Sequence, residues 1–139
     1  MYGDEEFENF ELYLEWKIPK GGNSGIYYHI KEGYGGFADM APEYQLLDDE
    51  NYAEIHDYEL KDWQLTAADY AMHVPDTTQK VLYPPGQWNS SRIIFTSNNV
   101  EHWLNDKKVL SFIPWTEQWY EKRNSGKWDN FPDYGKYKK

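Results

Sequence analysis

Glu43 and Gln45 are the residues whose types and spacing best suit chemistry. They lie two apart in the alternating segment Glu43-Tyr44-Gln45-Leu46-Leu47, which reads as a strand. They therefore project from one face, roughly 7 Å apart, while Tyr44 and Leu46 point the other way. A carboxylate on such a face can serve as a general base, with the amide orienting what it acts on. The plainer reading is a polar strand face that simply meets solvent. His29 belongs with this pair, because Ile26 to Ile30 predicts a strand with Tyr27 and His29 on its polar face. Asn23 and Ser24 precede Gly25 and read first as a turn, since Asn tolerates left-handed φ and Ser bonds its own neighbours.

Other chemistries find little support. The four histidines, at 29, 56, 73 and 102, do not pair at a spacing that marks a metal site, so zinc is not predicted. His102 shares strand parity with Val100 and Leu104, which favours a satisfied core or edge histidine. The chain has no cysteine, which excludes a disulfide scaffold and a thiolate nucleophile or zinc ligand. No Gly-x-Ser-x-Gly elbow occurs. Asn89-Ser90-Ser91 fits the N-glycosylation pattern but opens a strand, and reads as an accident of composition.

The elements that must position these residues are short strands. Phe10 to Ile18 alternates throughout, with its even positions apolar, and predicts a half-buried strand. The turn formers Pro19 to Gly25 end it. Gly33 to Pro42 is a Gly-rich loop without the Lys-Ser/Thr ending of a phosphate loop. Residues 49 to 64 hold at most a short helix, and Ala67 to His73 could form a strand. Trp88 to Thr96 and Asn99 to Leu104 read as a hairpin through Ser97-Asn98, with a further strand at Val109 to Phe112. Thr116 can cap one helix over 116–123, with Glu117 early and Lys122-Arg123 late. The tail from Trp128 has no period. The pattern predicts one domain, an antiparallel β-sandwich with Leu12, Leu14, Trp16, Ile26, Tyr28, Ile93 and Phe95 in its core.

With 139 residues there is chain for one core. The 24 acidic against 14 basic residues leave a net charge of −10, which argues against nucleic acid and an anionic membrane surface. No apolar run approaches membrane-spanning length, and no export leader is evident at the acidic N-terminus. Aromatic residues make up 19% of the chain, more than strand filling needs, and suggest rings that stack on sugar faces.

Asn23-Ser24-Gly25-Ile26, Glu43 to Asp48, Pro85 to Asn89 and His102-Trp103-Leu104-Asn105 form a constellation. By it the chain resembles the 3-keto-disaccharide hydrolase domain family, over about Phe10 to Lys139. The resemblance implies a concanavalin-like jelly-roll sandwich and a carbohydrate-active hydrolase or lyase acting on 3-keto-glycosides. The C3 carbonyl of such a sugar acidifies C2–H, so a base can form an enolate that expels the C1 substituent, and water can then add. On this reading Glu43 is the base. Gln45 and His29 complete the catalytic set, and Asn23, Ser24, Tyr27, Tyr70 and Asp48 contact an oligosaccharide or glycoside substrate. Room is left for a divalent metal. The alternative is a non-catalytic carbohydrate-binding sandwich with Tyr27 and Tyr70 as stacking platforms.

Three departures from the family pattern stand out. His29-Ile30-Lys31 occupies the place of the family's usual Arg, Thr66 to Tyr70 replaces a Thr-Gly-Ala-x-Tyr, and Asp106 replaces a Gly. The family pattern also begins earlier and continues past Lys139 with an Asp-His-Gly segment. The expectation is therefore an incomplete sandwich, truncated at both ends, prone to self-association through exposed sheet edges. The resemblance further implies a secreted or periplasmic bacterial protein.

Overall fold

The computed structural model describes residues 4–33 and 36–138. Tyr34 and Gly35, in the predicted Gly33-to-Pro42 loop, lie outside the described residues. Among the described residues six strands and two α-helices follow in order: β1 Phe10–Trp16, β2 Asn23–Tyr27, β3 Glu43–Leu47, α1 Tyr52–His56, β4 Asn89–Thr96, β5 Asn99–Leu104, β6 Lys107–Phe112 and α2 Glu117–Ser125. β1-β4-β5-β6 form one antiparallel sheet, and β2-β3 form a second. The predicted antiparallel β-sandwich is the observed architecture.

Alternation builds the core. β4 buries every second residue, among them Ile93 and Phe95, and β5 buries Val100, His102 and Leu104. From the smaller sheet, Tyr44 and Leu46 meet them, joined by Tyr28 just past β2. A register shift between His102 and Trp103 puts one extra residue into β6, and Val109 turns inward, 2% exposed. Polar groups cross this core in satisfied pairs. The indole N–H of Trp16 donates to Ser91 Oγ at 2.8 Å, and Ser91 donates to Tyr44 Oη at 2.9 Å. Tyr44 then donates to the Trp103 carbonyl at 3.0 Å.

A second cluster gathers Met72, Trp119, Trp128 and Tyr134. Thr116 caps α2, accepting from Trp119 N–H at 3.2 Å, as its sequence position predicts. The aperiodic tail is ordered by aromatic stacking, with Trp128 and Tyr134 4.2 Å apart and nearly parallel. Gly135 passes under Trp119 at φ 66°, and a Cβ there would lie 2.5 Å from the indole. Among the described residues no helix is long and apolar enough to cross a membrane.

Several local expectations change. β2 starts within the predicted turn, at Asn23, and stops at Tyr27, because His29 adopts φ 54° and breaks the ladder. Residues 67–73 are not a regular strand, since Ala67 and Ala71 take φ of 71° and 60°. Leu12 has core parity but stays 36% exposed, because it sits mid-way along the edge strand β1 where the two-stranded layer does not cover it. Ile93→Ala should therefore cost ~3 kcal/mol, and Leu12→Ala under about 1 kcal/mol. Urea unfolding of the two variants checks this, and equal losses would mean that the middle of β1 is covered after all.

Candidate active site

Glu43 opens β3 directly opposite Tyr27, the last residue of β2. Gly25 lies on the same face, and a Cβ built on it would come within 1.9 Å of Glu43 Oε1. The carboxyl side chain therefore lies across bare glycine backbone, a place that any larger residue would fill. The Tyr27 hydroxyl hydrogen-bonds to this carboxylate.

The other edge of β3 is occupied by residues 66–70. Leu47 N–H donates to Thr66 Oγ1 at 2.8 Å, Ala67 N–H to the Gln45 carbonyl at 2.9 Å, and Gln45 N–H to the Ala68 carbonyl at 3.1 Å. Tyr70 N–H then donates to the Glu43 carbonyl at 3.0 Å, which brings Tyr70 beside the acid. Trp63 meets the Tyr70 ring edge-on at 5.2 Å. The ammonium of Lys127 sits 4.5 Å above the Tyr70 ring and 4.9 Å from Trp128. Glu43, Tyr27, Tyr70 and Lys127 thus form one group: a carboxyl, two phenols and a cation.

Burial pushes the Glu43 carboxyl up to about 7; the Tyr27 hydrogen bond and the Lys127 charge oppose the rise, and Asp69 adds to it. Burial, then the Glu43 charge, pushes the Tyr27 phenol well above its ordinary range. A carboxyl that ionises near neutrality, over a glycine and beside phenols, is poised to exchange a proton with a bound molecule.

The other predicted site residues are placed elsewhere. His29 does not share the face of Tyr27. Its positive φ turns the ring into the core, 4.2 Å from Phe95, with Nδ1 3.1 Å from the Tyr137 carbonyl. Burial lowers its pKa. Gln45 keeps the parity of Glu43 but is only 3% exposed, and its Oε1 accepts from Leu46 N–H at 3.2 Å. Asn23 is exposed on the same face, four residues from Tyr27 and so roughly 13 Å away along the strand. Ser24 is exposed with the opposite parity.

Asp48 is a turn-forming group. Its carboxylate accepts from Gly21 N–H at 2.8 Å, from Asn51 N–H at 3.3 Å and from Asn51 Nδ2 at 3.0 Å, and these bonds hold its pKa low against the opposing effect of burial. His102 is fully buried between the Ala67 carbonyl, 2.8 Å away, and the Tyr28 hydroxyl, 3.3 Å away, which is the structural place its parity predicts.

Sequence reasoning missed Lys127, Trp63 and Asp69. Nothing local in Ser125-Gly126-Lys127-Trp128 points at Glu43, because the aromatic cluster rather than a periodic element brings it there. Asp69 bonds His73 Nδ1 at 2.7 Å, an i, i+4 pair that could have been noticed. No three His, Asp or Glu side chains converge as a metal set among the described residues. One carboxylate beside an ammonium is also a poor donor set for a divalent cation.

Comparison with known proteins shows which family the chain resembles in sequence and fold. A "3-keto-disaccharide hydrolase" from Bacteroides thetaiotaomicron is 36% identical over 140 residues, which is 91% of this chain and 47% of that protein. A crystal structure of a "putative glycosyl hydrolase" from Parabacteroides distasonis superposes with a TM-score of 0.85 at 47% identity, covering 95% of this chain and 60% of that one. A second from the same organism gives 0.67 at 29% identity, over 78% of this chain and 52% of that one. The chain thus spans about half the length of these relatives. The model of the 3-keto-alpha-glucoside-1,2-lyase-like domain matches residues 1–136, and the chain belongs to that family.

Proposed function

We propose that the chain acts on 3-keto-glycosides, with Glu43 as the base. The observation that carries this reading is the Glu43 carboxylate itself, laid over Gly25, bonded to Tyr27 and raised towards neutrality. A ketone at C3 makes C2–H acidic. Glu43 takes that proton, and the C–H electron pair enters the C3 carbonyl as an enolate. The enolate re-forms the ketone as the C1–O bond breaks, and the leaving oxygen takes up a proton. Water adding across the new C1=C2 bond completes a net hydrolysis. Tyr27, bonded to the carboxylate, orients it, and Tyr70 offers a ring and a hydroxyl beside it. The names of the relatives support the substrate class.

A non-catalytic sugar-binding role is the second reading. It is favoured by the half-buried rings of Trp63 and Tyr70, packed edge to face at 5.2 Å beside Glu43. Incubation with 3-keto-disaccharides beside their unoxidised parents separates the two. Turnover of the keto forms alone supports the enzyme, and binding without turnover supports the module.

Glu43→Gln should lower turnover by roughly 10²–10⁴-fold. The wild-type rate should rise with pH through about 7 as Glu43 ionises, and the variant should lose that limb. The stability consequence has the opposite direction. With the folded value near 7 and the ordinary value at 4.5, the fold binds the proton more tightly than the unfolded chain does. That contribution is complete below 4.5 and is lost as pH rises through 7. Urea melts from acid to neutral pH should show this decline in the wild type and not in Glu43→Gln.

Gly25→Ala makes a separate test of the cradle. The added methyl should displace the carboxylate and reduce turnover by at least ~10-fold, while the protein still melts cooperatively. Unchanged kinetics in Gly25→Ala would show that the Glu43–Gly25 contact is not the working arrangement.

A further inference from the structure

We propose that Lys127 is a further catalytic residue, whose ammonium, seated over Tyr70 beside Glu43, holds the enolate oxygen at C3. The inference rests on the 3-keto-glycoside reading above and adds the group which that chemistry leaves unassigned. Proton removal at C2 puts negative charge on an oxygen one carbon away. The base and the charge-holding group must therefore face adjacent atoms of the same sugar ring.

Lys127 is held in that relation by two ties. It opens the turn Lys127–Asn130, and the next residue, Trp128, is 2% exposed in the second aromatic cluster. The Trp128 indole N–H donates to the Tyr70 carbonyl at 3.4 Å, and Tyr70 N–H donates to the Glu43 carbonyl at 3.0 Å. The cation is thus positioned, through Tyr70, from the backbone of the base itself.

Its charge is also free to act. Lys80, Lys108 and Lys136 each pair with a carboxylate, whereas among the described residues none lies within 4.0 Å of the Lys127 ammonium. It rests instead on the faces of Tyr70 and Trp128, which attract a cation without neutralising it. Glu43 feels the Lys127 charge, yet the two make no ion pair. In the proposed complex the C2–C3 edge of a keto sugar lies between them, with C2–H towards the carboxylate and the C3 oxygen towards the ammonium. The ring of Tyr70, under the ammonium, forms the floor. When the C2–H bond breaks, the proton passes to Glu43 and the electron pair ends on the C3 oxygen. When the C1–O bond breaks, that charge leaves the oxygen again, and Lys127 stays protonated throughout.

Lys127→Met keeps most of the chain length and removes the charge, and Lys127→Arg restores the charge. Two measurements on the 139-residue chain test the proposal. The first is the Glu43 titration followed by carboxyl ¹³C NMR, which needs no substrate. Lys127→Met should raise the Glu43 ionisation point and Lys127→Arg should return it; no change in Lys127→Met overturns the juxtaposition and the proposal. The second is C2 hydrogen–deuterium exchange of a 3-keto-glucoside in D₂O, measured beside elimination. Exchange and elimination should fall together in Lys127→Met by roughly 10²–10³-fold in kcat with KM little changed, and recover in part in Lys127→Arg. Wild-type exchange with slowed elimination would assign Lys127 to the leaving group, and a change in KM alone would make it a binding residue; both overturn the proposal. If the titration shift is present but the wild type exchanges no C2 hydrogen, the 3-keto reading fails and the role of Lys127 falls with it.

Discussion

The hydrogen-bonded chain from Trp16 through Ser91 and Tyr44 to the Trp103 carbonyl ties the two sheets together at one depth. Each of these groups is buried or partly buried, so a broken link would leave a donor or acceptor unpaired at a cost of ~1–3 kcal/mol. Apolar packing by itself would let the two layers slide, because methyl and methylene contacts are not directional. A hydroxyl donated from Tyr44 to a particular carbonyl fixes the register of β3 against β5. Since side chains alternate strictly along a strand, fixing Tyr44 inward also fixes Glu43 and Gln45 outward. The aim of the candidate base is thus a consequence of a hydrogen bond in the core.

The site occupies an intermediate environment between this core and water. Glu43 is buried enough for its charge to be disfavoured, and the Tyr27 hydrogen bond and Lys127 relieve only part of that effect. A fully solvated carboxylate would ionise readily and be a weak base, whereas a fully buried one would stay protonated. Gly25 sets the balance, since it lets the carboxyl lie flat against the backbone, partly shielded from water. The neighbouring pair Asp69 and His73 lies deeper, and its carboxylate adds repulsion that keeps Glu43 high.

A second set of aromatic rings does for the loops what alternation does for the sheets. Trp119, Trp128 and Tyr134 stack around Gly135, and Arg123 donates to the carbonyls of Phe131 and Tyr134. These contacts order a segment rich in Gly, Pro and Lys whose local propensity is for neither helix nor strand. They also bring the cation of Lys127 to the edge of a site formed by residues more than 50 positions earlier in the chain.

Period-2 alternation in the sequence determined β1, β3 and the β4–β5 hairpin, because one half-buried face leaves only one register open to a strand. It also determined that Glu43 and Tyr27 share the outer face, and that His102 is a core residue. Thr116 marked the start of α2 through a cap that is local by nature. Tertiary structure decided what parity could not reach. His29 left the predicted site because a single positive φ reverses the side-chain face, and Leu12 stayed exposed because coverage depends on the size of the opposing sheet. Asp48 turned out to serve a turn, since it lies just past the end of β3 and bonds Gly21 and Asn51 in the flanking loops. Lys127 entered the site through aromatic stacking between segments far apart in sequence, and a contact of that kind has no signature in the spacing of neighbouring residues.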